Sequence, residues 1–118
     1  DLGAKLILLD SQIGFIEPLN KLMKTKNVPY TEIRTDDNFN LKYSESRDLL
    51  NSLGIAGEIL ETPGHSDDSI TLVLDEGLVF TGDLPPRFLV MDDDKTVKES
   101  WDKIYHHEIT KIFPAHGV

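Results

Sequence analysis

Three short apolar segments of the sequence each run directly into a loop that carries a side chain able to bind a metal ion. The segments and their side chains are residues 58–62 with His65, residues 78–81 with Asp83, and residues 111–113 with His116. Each segment has the composition and length of a strand. Loops at strand ends are where a sheet presents its chemistry, so these three positions are candidates for one shared site.

Two imidazoles and one carboxylate form a donor set that suits Zn²⁺, Fe²⁺ or Mn²⁺ and does not suit Cu⁺. A carboxylate such as that of Asp83 can also bridge two ions. A site of this kind activates bound water at neutral pH and polarises a carbonyl or phosphoryl oxygen. Taken singly, His65, Asp83 and His116 each fit an ordinary turn better than a metal site, and the signal lies in their joint occurrence after three strands. The pattern alone therefore leaves a metal centre and three unrelated loop residues as open alternatives.

Composition narrows the classes of protein to which the chain can belong. Its 118 residues carry a formal net charge of −9, with no clustered basic patch, which disfavours nucleic acid as a partner. Cysteine is absent, which excludes disulfides, thiolate nucleophiles and Cys-ligated zinc. No run of 18 apolar residues occurs, so we expect no membrane span. The chain starts at Asp1 without an export signal, and we expect a cytoplasmic location and further polypeptide upstream.

The elements that must position the three side chains follow from apolar periodicity and turn residues. In the first part of the chain we predict strands at residues 5–9 and 30–33, helices at residues 12–24 and 44–53, and a loop at residues 34–43. Pro18 lies inside the first helix and predicts a kink or a new helix start there.

The second part of the chain has clearer boundaries. We predict four strands, at residues 58–62, 70–74, 78–81 and 111–113. Thr96 and Glu99 match a capping box, which predicts a helix from there to about His107 that buries Trp101 and Ile104. Strands and helices of this kind predict an α/β (α+β) fold with a mixed or antiparallel sheet and flanking helices.

The three loops also resemble the motifs of a known family. The sequence TPGHS at residues 62–66, followed by a hairpin and FTGD at residues 80–83, is similar to the middle motifs of the metallo-β-lactamase superfamily. The sequence FPAHG at residues 113–117 is similar to the closing motif of that superfamily. The resemblance covers residues 1–118, which would be the C-terminal portion of a metallo-β-lactamase-like domain, half of its αββα sandwich.

The resemblance implies roles for the three side chains. His65 would bind a first metal ion, His116 a second, and Asp83 would bridge the two and act in catalysis, with two zinc ions per intact domain, or iron or manganese. A metal-bound hydroxide would attack an ester, thioester, amide or phosphoester of a small-molecule substrate. The first motif of the family, His-x-His-x-Asp-His, is absent from the 118 residues. We therefore expect this chain alone to hold metal weakly or not at all, and to be inactive.

Several further residues have weaker functional readings. Tyr43, Ser46 and Arg47 lie in a region that caps the active site in the family, although a packed surface helix explains them better. Asp67 fits a loop acid, and His106 fits the cation that favours a helix C-terminus.

Three functions stay open from the sequence: a hydrolase, a flavodiiron-type oxidoreductase with two irons, and a non-catalytic binding or assembly module on the same fold. We expect the exposed surface of a half-fold to favour a homodimer.

Overall fold

The computed structural model describes residues 3–26, 29–34, 36 and 38–116. The chain divides into two compact units, Asp1–Lys42 and Tyr43–Val118. No helix among the described residues is both long and apolar enough to cross a membrane.

The first unit contains a two-stranded parallel sheet and one helix. Strand β1 (Ile7–Leu9) pairs with strand β2 (Phe39–Leu41), and helix α1 (Asp10–Thr25) starts directly after β1. The predicted first strand and helix are confirmed. Pro18 lies inside a single helix, so a new helix start at this position is wrong.

The predicted strand at residues 30–33 is also wrong, because the Asn20 side chain forms hydrogen bonds with backbone groups of this segment. No strand is assigned to residues 30–33. The buried amide of Asn20 accepts from the Ile33 backbone N–H at 3.1 Å and donates to the Ile33 carbonyl at 3.0 Å. The strand lies instead at β2, within the segment that was predicted to be a loop.

The second unit is a four-stranded mixed sheet with helices. Its elements are a 3-10 helix (Tyr43–Glu45), α2 (Ser46–Ser52), β3 (Gly57–Glu61), β4 (Ile70–Leu74), β5 (Leu78–Gly82), a second 3-10 helix (Arg87–Leu89), α3 (Lys95–Tyr105) and β6 (Lys111–Pro114). The sheet order is β3-β4-β5-β6, antiparallel except for the parallel pair β5 and β6. The predicted mixed sheet and its four strands are confirmed within one residue at each end.

One face of this sheet forms the core with α3. The buried core residues come from β4, β5, the loop after β5 and α3; they are Val73, Val79, Leu84, Val97, Trp101 and Ile104. Trp101 and Ile104 are buried as the helical periodicity predicts.

The predicted capping box of α3 is wrong. The N-cap is Asp94, whose side chain accepts from the Val97 N–H at 3.2 Å. Thr96 lies one residue inside the helix, and the helix ends at Tyr105. An aspartate two residues upstream satisfies the free N–H group, so the helix starts earlier than the Thr-x-x-Glu pattern predicts.

Candidate metal centre

The directions of the strands bring the three predicted side chains to one end of the sheet. Strands β3 and β5 are both antiparallel to β4, and β6 is parallel to β5. The C-terminal ends of β3, β5 and β6 therefore lie at the same end of the sheet. His65, Asp83 and His116 follow these three ends. Gly117, which completes the third motif, is outside the described residues.

Asp83 lies between the two histidines and turns one carboxylate oxygen towards each. His116 Nε2 is 3.0 Å from Asp83 Oδ1, and His65 Nε2 is 3.8 Å from Asp83 Oδ2. The Asp83 side chain is 42% exposed and both imidazoles are more exposed than that. The arrangement is thus open to small molecules from solvent.

The loop that carries His65 is held at its start by two hydrogen bonds of buried side chains. The Thr62 hydroxyl, immediately before the loop, is 2.7 Å from the Thr71 hydroxyl, and both residues are fully buried. The Ser100 hydroxyl on α3 donates to the Pro63 carbonyl at 2.6 Å. A Cβ at Gly64 would lie 2.8 Å from a methyl group of Val97, so only glycine lets the loop approach α3 this closely.

The loops that carry Asp83 and His116 are bonded to each other. Gly82 has a φ of 58°, a conformation that favours glycine and turns the chain just before Asp83. Its carbonyl accepts from the Ala115 N–H at 2.9 Å. This bond lies next to both predicted ligands and keeps Asp83 and His116 in register at the ends of β5 and β6.

The donor types fit a metal centre, but the donor set is partial. Structural and catalytic zinc sites use at least three protein ligands per ion. Among the described residues no group of three or more His, Cys, Asp or Glu side chains is arranged around a single ion position. The two imidazoles face different oxygens of the Asp83 carboxylate, so the three side chains do not converge on one ion position. Such a geometry suits a carboxylate between two ion positions, each of which needs further donors.

The other predicted polar residues lie elsewhere. His106 Nδ1 is 2.7 Å from the Asp102 carbonyl at the end of α3. His107 Nε2 is 3.2 Å from Glu58 Oε1, near the start of β3, whereas His65 follows the end of that strand. Asp67 is exposed in the loop after His65.

Ser46 and Arg47, considered above as substrate-facing residues, have contacts within the fold. The buried Ser46 hydroxyl accepts from the Ile59 N–H at 3.0 Å and donates to the Tyr43 carbonyl at 2.9 Å. Arg47 donates to both carboxylate oxygens of Asp75, at 2.8 and 2.9 Å. This pairing raises the pKa of Arg47 and lowers the pKa of the Asp75 carboxyl. The packed surface helix is therefore the better account of these residues.

Two cavities beside the candidate centre were not predicted. The smaller, of about 310 Å³, includes Asp83 and His116 in its lining. The larger, of about 670 Å³, extends to Trp101 and Tyr105 of α3. A signal was present in the sequence, because PPRFL at residues 85–89 places a rigid, largely apolar segment directly after the FTGD motif.

Comparisons with known proteins find relatives in sequence and in structure. The chain is 36% identical over 61 residues to the beta-lactamase-like protein 2 homolog of Drosophila melanogaster, a match over 50% of this chain and 21% of that protein. It is similar in fold to TTHA1623, solved in a di-iron-bound form, with a TM-score of 0.65 and 22% identity over 99% of this chain and 59% of that one. It thus spans less than two thirds of the length of either protein. No family model matches the chain.

The comparisons agree with the resemblance that the three motifs carry. The Drosophila relative is named as a β-lactamase-like protein. The fold of the solved structure can be superposed on almost the whole of this chain. Sequence and fold together agree with a resemblance to the metallo-β-lactamase superfamily, and the mixed sheet with its helices is consistent with half of the metallo-β-lactamase fold.

Proposed function

We propose that this chain is the C-terminal portion of a metal-dependent hydrolase of the metallo-β-lactamase superfamily. It would contribute His65, Asp83 and His116 to a two-metal centre, with His65 on the first ion, His116 on the second and Asp83 between them. Zinc suits these donors, and so do iron and manganese. The remaining donors would come from a His-x-His-x-Asp-His motif outside this sequence.

The position of Asp83 carries the proposal. Its two carboxylate oxygens face two different imidazoles, at 3.0 and 3.8 Å. Three loops from separate strands meet at this carboxylate, and a bond between two of them holds the arrangement. Ordinary turn residues on three strands have no reason to meet in this way. The meeting point supports a shared site.

Metal ions bound there would supply water activation at neutral pH and polarisation of the bond to be cleaved. The residues of the chain hold and orient that centre. A metal ion would bind His65 and His116 each through a ring nitrogen that carries no hydrogen. The sheet behind the loops keeps all three side chains at fixed spacing.

The substrate would be a small molecule with an ester, thioester, amide or phosphoester bond. Polymeric nucleic acid is a poor candidate because the chain has a net charge of −9. We expect the 118-residue chain to be inactive by itself, since its donor set is partial. A cytoplasmic location is our expectation for the whole protein.

Titration of the ¹⁵N-labelled chain with Zn²⁺, followed through the imidazole resonances, tests the assignment without an activity assay. We expect the resonances of His65 and His116 to shift or broaden, while those of His106 and His107 stay in place. Asp83→Asn should weaken this response by at least about tenfold, since even loss of an outer partner of a metal ligand has that effect. Asp67→Asn, a change of the same type in the loop after His65, should leave it unchanged.

Two results would overturn the proposal. One is a zinc response that spreads equally over all four histidines. The other is a response of His65 and His116 that survives Asp83→Asn. Either would mean that the carboxylate does not join the two imidazoles into one centre.

The iron content of the solved neighbour favours one alternative as a second candidate. TTHA1623 was solved in a di-iron-bound form. A flavodiiron-type oxidoreductase would hold two irons on the same fold and would need a flavodoxin-like partner domain. Elemental mass spectrometry on the longer protein distinguishes the two: about two zinc ions favour the hydrolase, and about two irons favour the redox candidate.

A non-catalytic module on the same fold predicts no metal at all. After growth with zinc and iron supplied, absence of both from the longer protein would exclude the two enzymes. A degenerate His-x-His-x-Asp-His motif upstream would agree with that outcome.

A further inference from the structure

The larger cavity has the size and the lining of a site that can hold an apolar group. Its volume of about 670 Å³ lies within the range of small-molecule pockets. Apolar side chains line most of it, including the buried Leu84 and Trp101 and the partly buried Ile112. An apolar ligand would replace water along these walls.

The cavity adjoins the candidate metal centre. The smaller cavity, which contains Asp83 and His116, shares lining residues with the larger one; these are Leu84, Pro86, Phe88 and Pro114. Phe88 is 72% exposed and belongs to both linings, so its ring stands at the border between the two. A molecule with its reactive bond beside Asp83 can therefore extend past Phe88 into the larger cavity.

One cation lies in the lining of the larger cavity. Arg87 is exposed, and among the described residues no carboxylate forms an ion pair with its guanidinium. Arg34 and Arg47 each form an ion pair with an aspartate, whereas Arg87 forms none within the described part of the chain. Its planar group binds carboxylates and phosphates through two parallel hydrogen bonds.

Trp101 fixes the segment that carries this cation. Its indole N–H donates to the Pro85 carbonyl at 2.8 Å, and its ring stacks on Tyr105 with centroids 5.6 Å apart. Two prolines restrict the backbone just before Arg87. The guanidinium is thus attached to a rigid rim, although its own side chain can turn towards a ligand.

We propose that this cavity binds the non-reacting part of the substrate, an apolar chain with an anionic end that pairs with Arg87. The substrate class would be esters or thioesters of a medium-length apolar acid that carries a second, anionic group. The reactive bond at Asp83 rests on the proposed function, whereas binding in the cavity does not require a metal.

Trp101 supplies the measurement, because it is the sole tryptophan of the chain and lines the cavity. A bromoalkyl chain quenches tryptophan fluorescence on contact. The probes are ω-bromooctanoate and its neutral counterpart ω-bromooctanol, both titrated in the presence of a chelator. We expect saturable quenching by both, with the carboxylate bound about tenfold more tightly through its charge-assisted bonds to Arg87.

Variants separate the charge from the apolar wall. Arg87→Met should remove the preference for the carboxylate and leave the alcohol unchanged within about twofold, since the change deletes only the charge-assisted bonds. Arg34→Met is the matched control, because Arg34 does not line the cavity, and it should leave both probes unchanged. Phe88→Ala should weaken both probes alike. Phe88 is exposed, so its loss does not threaten the fold.

Three outcomes overturn the proposal: no saturable quenching, equal binding of the two probes, or a carboxylate preference that survives Arg87→Met. A carboxylate preference that appears only when zinc is added would place the anion at the metal centre. That result would reject the role of Arg87 and leave the proposed hydrolase standing. Cavity binding together with a zinc response spread equally over all four histidines would keep the role of Arg87 and reject the proposed metal centre.

Discussion

At the scale of single residues, the side chain of Thr62 joins the sheet to the His65 loop. Its hydroxyl and that of Thr71 are fully buried and bond to each other. We expect Thr71→Val to lower the free energy of unfolding by about 1–3 kcal/mol, because the Thr62 hydroxyl is then buried without a partner. Urea unfolding at neutral pH measures the change.

The double variant Thr62→Val with Thr71→Val is the control. It removes both polar groups and keeps the shape of both side chains, so its stability should lie closer to that of the unmodified chain than that of Thr71→Val does. If the loss of stability in the double variant equals the sum of the losses in the two single variants, the two hydroxyls do not depend on each other.

The ion pair between Arg47 and Asp75 predicts a pH-dependent contribution to stability. The Arg47 guanidinium holds the pKa of the Asp75 carboxyl below its ordinary value of 3.8. A lowered carboxyl pKa stabilises the fold above 3.8, and this contribution disappears as the pH falls through the lowered value. Asp75→Asn should therefore reduce the Tm slightly at neutral pH and have no effect in strong acid.

Thermal unfolding followed by circular dichroism across this pH range provides the test. The pair is solvent-exposed, so salt should also reduce the difference. Asp67→Asn removes an exposed acid from a loop and is the matched control. A Tm difference for Asp75→Asn that is the same at neutral and acid pH would contradict the assignment to this ion pair.

At the scale of elements, the start of α3 offers a direct comparison between two possible caps. Asp94→Ala removes the side chain that accepts from the Val97 N–H, and we expect a loss of about 1 kcal/mol in the free energy of unfolding. Thr96→Ala changes the residue that the capping-box pattern favours. Since Thr96 lies inside the helix, this variant should be neutral or slightly stabilising.

Urea unfolding of the two variants side by side decides between the caps. If Thr96→Ala lowers the free energy of unfolding more than Asp94→Ala does, Thr96 is the N-cap of α3. The α3 boundary affects the candidate site, because Ser100 on this helix holds the Pro63 carbonyl in the loop of His65.

At the scale of the whole molecule, the sheet of the second unit has an apolar face opposite α3. Val79 and Thr81 are buried, so Phe80 between them points to the other face, where it stacks on Phe113 with ring centroids 5.0 Å apart. Phe80 is 39% exposed. We expect this surface to support a homodimer whose population rises with concentration.

Sedimentation velocity over a concentration series tests this expectation. Phe80→Ser should shift the chain towards the monomer, whereas Leu53→Ser, which also removes an exposed apolar side chain, should not. Added salt should strengthen association, because two copies of net charge −9 repel each other. A monomer at every concentration would reject the homodimer.

The sequence by itself determined the elements whose signals are local. Strand β4 was predicted with its observed ends, Ile70–Leu74, because a short apolar run lies between turn residues. The three loop motifs indicated the family resemblance and the candidate ligands His65, Asp83 and His116 for the same reason, since each motif is a few consecutive residues.

The tertiary structure decided what depends on residues far apart in the chain. The segment at residues 30–33 is not a strand, because an amide on α1, Asn20, binds its backbone. The approach of His65 and His116 to Asp83 depends on β3, β5 and β6 running in the same direction. The cavity at Arg87 depends on α3 and β6 contributing side chains to one space. Apolar periodicity reports which face of an element is buried; which elements meet is set by long-range pairing, and no window of a few residues contains that information.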